Sequence, residues 1–193
     1  KDAQDLRPLF VRTPAMLSPE AQQSSYAPCD DNTITISLVP NVPLLPACDY
    51  TITVTGISGT ETPNNDFMPV IAGATDTFNA SMPWVKDSGM VSVSLSDVLM
   101  KGGSQNSFSF EVRNPPTPQS HPTAVVQIFQ SGPGKLSEQE LLIPNATWQA
   151  SGYDLEVMHV KEPVINASFI TTNDNPCSEH SITIKLNPLN VDL

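Results

Sequence analysis

Apolar and polar residues alternate along most of this chain. Ile34, Ile36 and Leu38 are separated by Thr35 and Ser37, and Ile52 and Val54 sit among Thr51, Thr53 and Thr55. Val91, Val93 and Leu95 are divided by serines, and Phe108, Phe110 and Val112 follow the same rule. A period of two sends successive side chains to opposite faces, which is the signature of a half-buried strand. Further strands are predicted over 123–129, 138–143, 154–160 and 165–171. Turn signals divide them: Gly56-Ile-Ser-Gly59, Lys101-Gly-Gly-Ser104, Asn114-Pro-Pro, Ser131-Gly-Pro-Gly134 and Ser151-Gly152. Helical periodicity is missing throughout. Many short strands with proline-rich connections predict an all-β chain folded as an antiparallel sandwich.

Two stretches recur. Asp5-Leu-Arg-Pro-Leu-Phe-Val-Arg-Thr-Pro14 aligns with Asp154-Leu-Glu-Val-Met-His-Val-Lys-Glu-Pro163, identical at four of ten positions. Pro28-Cys-x-x-x-x-Ile-Thr-Ile-x-Leu-x-Pro40 aligns with Pro176-Cys-x-x-x-x-Ile-Thr-Ile-x-Leu-x-Pro188, identical at seven of thirteen. The offsets are 149 and 148 residues, so the two matches differ by one inserted residue. A repeat of that length is the size of a domain, not of a solenoid unit. It sets the phase: residues 1–13 are expected to be the last strand of a preceding repeat, 14–160 a complete sandwich, and 161–193 the start of the following repeat. An immunoglobulin-like sandwich needs roughly 100 residues. A longer unit implies added strands or long loops, and the region 60–90 is where they are expected.

Composition narrows the function. Nine basic residues against 20 acidic ones give a formal charge of −11. Such a chain is repelled by nucleic acid and anionic lipid. No apolar run approaches the ~20 residues of a membrane-spanning helix, so neither nucleic-acid binding nor membrane insertion is expected. The 19 prolines and many Ser, Thr and Asn residues suit an extracellular protein. Three sequons, at Asn79, Asn145 and Asn166, make N-glycans an expected covalent addition, and the Asn114–Thr123 loop could carry O-linked sugar. Among the cysteines, Cys177 is the repeat equivalent of Cys29. That leaves Cys29 and Cys48 to pair if Pro40–Ala47 runs back in extended form to bring them within the ~5.5 Å a disulfide requires. The alternative is three free thiols in a reducing compartment.

The chain carries no recognisable catalytic signature. Nucleophile elbow, phosphate loop, dinucleotide fingerprint and zinc spacing are all missing. His121, His159 and His180 are scattered, and the aligned copy replaces His159 by Phe10 and His180 by Asn32. No catalytic residue and no cofactor is therefore expected. One constellation stands apart: Thr172-Asn173-Asp174-Asn175-Pro176, at the repeat junction, is similar to the interdomain calcium linkers of cadherins. It would offer oxygen ligands from Asn173, Asp174 and Asn175, although the aligned segment Ser24–Pro28 has no acid. Trp84 and Trp148 are candidate sugar-stacking platforms, or else core residues.

The pattern from Pro28 to Gly59, with Ile34-Thr-Ile-x-Leu38, Pro40-Asn-x-Pro-Leu44, Cys48 and Ile52-Thr-Val-Thr-Gly-Ile-Ser-Gly59, resembles repeats in very long secreted and surface proteins of algae and other protists. The resemblance implies tandem immunoglobulin-like domains in extracellular fibres, flagellar hairs of the mastigoneme type or cell coats, often glycosylated and without catalytic residues. The partners it implies are identical or homologous chains. A further expectation is that strands at the two termini, 1–13 and 161–193, complete neighbouring subunits by strand addition. An adhesion or carbohydrate-binding module is the alternative function.

Overall fold

A computed structural model describes residues 11–17, 19–73, 76–130, 135–140, 157–171 and 182–188. Every named strand pairs antiparallel. One sheet has four strands in the order β1 (Glu20–Gln23), β2 (Asp31–Leu38), β8 (Asn106–Arg113) and β5 (Ala72–Gly73). The second has six, in the order β10 (Lys135–Glu140), β9 (Val125–Gln130), β3 (Tyr50–Thr55), β7 (Met90–Ser94), β6 (Ser81–Val85) and β4 (Asn65–Pro69). A separate hairpin joins β11 (Ile165–Thr171) to β12 (Ile182–Pro188).

The alternation in the sequence becomes the inner faces of the two sheets. Ile34, Ile36 and Leu38 of β2 and Phe108, Phe110 and Val112 of β8 meet Ile52, Val54, Val91, Val93, Val126 and Ile128 of the six-stranded sheet. Phe78 packs edge-on to Phe108 with ring centroids 5.2 Å apart. On the opposite faces, hydroxyls pair across strands: Thr35 with Ser109 at 2.9 Å, Ser37 with Ser107 at 3.0 Å, and Thr53 with Ser92 at 3.0 Å. Such cross-strand pairs fix register, because a one-residue slip would send the apolar set to solvent.

Most predicted strands lie where the alternation put them, and the region 60–90 supplies the added ones, β4, β5 and β6. Strand β1 carried no alternation signal. The segment predicted as a strand over 154–160 is, in its described part, a turn at 157–158 followed by a single bridge from Val160 to Gln119. Its Met158 and Val157 are nonetheless core residues.

The sandwich has two poles. At one, Met16 faces Pro40, Leu44 faces Met100, and the Gly103 N–H donates to the Pro40 carbonyl. At the other, Cys29 donates to Pro115, Gly56 to Ser88, and Lys161 to Tyr26. The described chain enters beside Pro40 and leaves beside Tyr26.

The expected Cys29–Cys48 bridge is not formed: both thiols are free. The connection after β2 does not run back. Pro40 and Leu44 form bridges at the Pro40 pole, and Pro46–Cys48 makes a 3-10 turn there before β3 starts in the opposite sheet. Cys29 stays at the other pole, a full strand length away. Eight residues of strand span roughly 26 Å, several times what a disulfide allows. Cys177 lies outside the described residues.

Candidate functional site

Where the chain leaves the sandwich, four amide side chains gather, and two of them, Gln23 and Gln119, bond the departing backbone. Gln23 ends β1, Asn32 lies in β2, Asn114 follows β8, and Gln119 lies in the loop beyond. The first three are buried. Asn32 Nδ2 donates to Gln23 Oε1 at 3.1 Å and to Asn114 Oδ1 at 2.8 Å, while Asn32 Oδ1 accepts from the N–H groups of Ser24 and Ser25. Asn114 Nδ2 donates to the carbonyls of Ser25 and Ala27. Gln23 Oε1 also accepts from the Met158 N–H at 2.7 Å, and its Nε2 donates to the His159 carbonyl at 2.8 Å. Gln119 Nε2 donates to the Met158 carbonyl at 2.7 Å, and the Gln119 backbone exchanges two hydrogen bonds with Val160. Lys161 places its ammonium 4.2 Å from the centre of the Tyr26 ring.

No sequence motif marks these amides, but the strand pattern carries a signal for two of them. Asn32 shares the parity of Ile34, Ile36 and Leu38, and Asn114 that of Phe108, Phe110 and Val112. A polar residue in an inward position must find partners or cost a few kcal/mol. Here the partners are one another and the backbone of the Ser24–Ala27 turn, with Gln23 reaching on to the departing chain.

Immediately after this pole, β11 and β12 repeat the pairing of β1 and β2. Gln23 faces Ile34, and Thr171 faces Ile182, both members shifted by 148 residues. The same shift carries Gln22–Thr35 onto Ile170–Thr183, Ala21–Ile36 onto Phe169–Ile184, and Glu20–Ser37 onto Ser168–Lys185. Further along, Met16–Pro40 corresponds to Ile165–Pro188, with an offset of 149 on the first strand and 148 on the second. The one-residue difference between the two sequence matches therefore falls between Met16 and Glu20, where the first copy uses one residue more. Ile36 is fully buried; Ile184, its equivalent, is 57 % exposed.

The remaining candidates are dispersed. Asn79 is exposed, with Ala80 and Ser81 of its sequon also exposed. Asn166 lies in β11 opposite Asn187, and Asn145 falls outside the described residues. So do Asn173, Asp174 and Asn175, and with them the calcium expectation. Among the described residues, no three His, Cys, Asp or Glu side chains gather as metal ligands. Trp84 is 1 % exposed, packs beside Phe110 at 6.2 Å, and donates from Nε1 to the Thr62 carbonyl. It is a core residue and not a sugar platform; Trp148 and His180 fall outside the described residues. His121 is exposed and His159 half-buried. Among the described residues, no helix is long and apolar enough to cross a membrane.

No protein-family model and no curated protein matches the sequence. Solved structures that are similar include domains D2 and D3 of the major pilin SpaD from Corynebacterium diphtheriae. That match has 14 % identity, 64 % of this chain against 50 % of that one, and a TM-score of 0.39. The major pilin SpaA from the same organism has 13 % identity over 81 % of this chain and 40 % of its own, with a TM-score of 0.40. A GH20 exo-β-N-acetylglucosaminidase from Vibrio harveyi has 7 % identity over 80 % of this chain and 20 % of its own, with a TM-score of 0.36. Each match takes in half or less of the solved chain.

Proposed function

We propose that this protein is a structural subunit of an extracellular, glycosylated fibre or surface array built from tandem sandwich units. The observation that carries the reading is the recurrence of the β1–β2 pairing at β11–β12, in the same register and at the spacing of the sequence repeat. Residues 14–160 form the complete unit, 1–13 end the unit before it, and 161–193 begin the unit after it. The core cluster, which runs from Met16 to Met158, fits those bounds. Opposite poles for entering and leaving suit units joined end to end. The exposed Asn79 sequon can carry a glycan without disturbing either sheet. Homologous chains are the partners, joined by strand addition between neighbouring units.

Two measurements on native material test this. Electron microscopy should show filaments or rods with an axial period of roughly 30–40 Å, the length of an eight-residue strand plus its two loop ends. Glycopeptide mapping should find sugar on Asn79. Isolated globular particles with bare asparagines would end the proposal.

A further inference from the structure

Among the described residues, the hairpin β11–β12 has no counterpart of β8. In the complete unit, the edge of β2 that faces away from β1 pairs with β8: Ile34 faces Phe110, Ile36 faces Phe108, and Leu38 faces Asn106. Strand β12 has β11 on one side and, among the described residues, no strand on the other. Ile184, at the position that β8 and the opposite sheet cover in the complete unit, is 57 % exposed, whereas Ile36 is fully covered. The likeness continues in sequence past the strands, since Asn41-Val-Pro-Leu44 is matched by Asn190-Val-Asp-Leu193.

We infer that the open edge of β12 is an acceptor for one kind of strand, the β8-type strand of a like unit, added antiparallel in the β2–β8 register. This deepens the tandem-unit reading and rests on it. The register dictates the chemistry of the occupant. Aromatic or aliphatic residues stand opposite Ile182 and Ile184, as Phe110 and Phe108 stand opposite Ile34 and Ile36. A small hydroxyl residue stands opposite Thr183, as Ser109 bonds Thr35 at 2.9 Å. At the next outward position this hairpin differs, because Lys185 replaces Ser37. Ser37 bonds the Ser107 hydroxyl at 3.0 Å; an ammonium there selects a strand with an acidic side chain at that position. The acceptor edge is therefore not a copy of β2, and it prefers a β8 strand other than the one in this chain.

The test uses the isotope-labelled full chain and a synthetic peptide of residues 104–115, read by amide shifts and hydrogen exchange. Binding is expected to protect the amides of 182–188 and leave those of β2 unchanged. Replacing Ser107 by Glu in the peptide should tighten binding by about two- to five-fold, the range of an opposite-charge cross-strand pair. Replacing Phe108 and Phe110 by Ser in the peptide should abolish it. Ile184→Asp in the protein should weaken it at least about ten-fold, and the peptide variants keep the test valid if that hairpin unfolds. No perturbation of 182–188 at millimolar peptide, equal binding of the serine peptide, or entry only at β2 would overturn the inference. So would protection of 182–188 that rises with protein concentration alone, which would assign the edge to a second hairpin. Filaments in native material without peptide binding would defeat this inference and spare the fibre reading; peptide binding without filaments would do the reverse.

Discussion

Ile36 and Ile184 occupy the same place in two copies of one hairpin, yet their surroundings differ. Ile36 is enclosed by both sheets, so Ile36→Ala should cost about 2–5 kcal/mol, from lost burial plus the cavity left behind. Ile184→Ala removes a half-solvated side chain, and in this chain should change stability by no more than about 0.5 kcal/mol. Urea unfolding of the two variants checks both values. The cysteines make a second contrast. Cys29 is exposed and Cys48 half-buried, with Cys48 beside Tyr50, whose hydroxyl is pushed above its ordinary range by burial and by the neighbouring thiol. A thiol reagent should modify Cys29 quickly and Cys48 slowly, and reductant should leave the unfolding midpoint unchanged. A Cys29–Cys48 peptide in an unreduced digest would contradict the fold. On the β10 edge, the bonds from Lys135 and Gln127 hold the Glu138 carboxyl below its ordinary range. A depressed carboxyl supports the folded state above its unfolded pKa and loses that support as pH falls through the folded value. Lys135→Ala should raise the Glu138 midpoint in an NMR titration.

At the scale of elements, turns and caps decide what alternation cannot. The turn between β6 and β7 closes at Gly89, whose φ is +54° and where an added Cβ would lie 2.2 Å from the Ile57 carbonyl carbon. Gly89→Ala should therefore cost about 2 kcal/mol or more, through both strain and backbone contact, visible as a lowered thermal midpoint. The exit segment depends on Gln23. Gln23→Leu leaves the buried Met158 N–H without its acceptor, which should cost about 1–3 kcal/mol and speed amide exchange at 157–161 well ahead of the β2 and β8 amides. The sequence made the long strands plain, since β2, β3, β7, β8 and β9 each bury one face and so alternate. It concealed β1, which is only four residues long and places Gln23 rather than an aliphatic residue inward. Segment 154–160 misled because the apolar residues of its described part, Val157 and Met158, are core by contact, not by pairing in a ladder. The cysteine spacing misled for a different reason: distance between poles is a property of which sheet each strand joins, and spacing carries no record of that.

For the whole molecule, the repeat was the most legible feature, because the spacing of two matched stretches is also the spacing at which the β1–β2 pairing recurs in β11–β12. The pairing of β11 with β12 was readable only as a strand at 165–171 and an Ile-Thr-Ile motif at 182–184; their mutual register needed coordinates. The arrangement at the exit links two elements that the sequence keeps 135 residues apart. The β1 segment begins beside Pro40 and runs lengthwise along β2 to Gln23, and Gln23 is bonded directly to Met158 and His159. A pull applied between Thr13 and Lys161 would thus load the β1–β2 ladder in shear, all its bonds together, and reach the departing backbone through the Gln23 and Gln119 amides, the Gln119–Val160 bridge and the Lys161–Tyr26 bond. The load would then fall on hydrogen bonds pulled together, with the buried Met16 and Met158 anchoring the two ends of its path in the core.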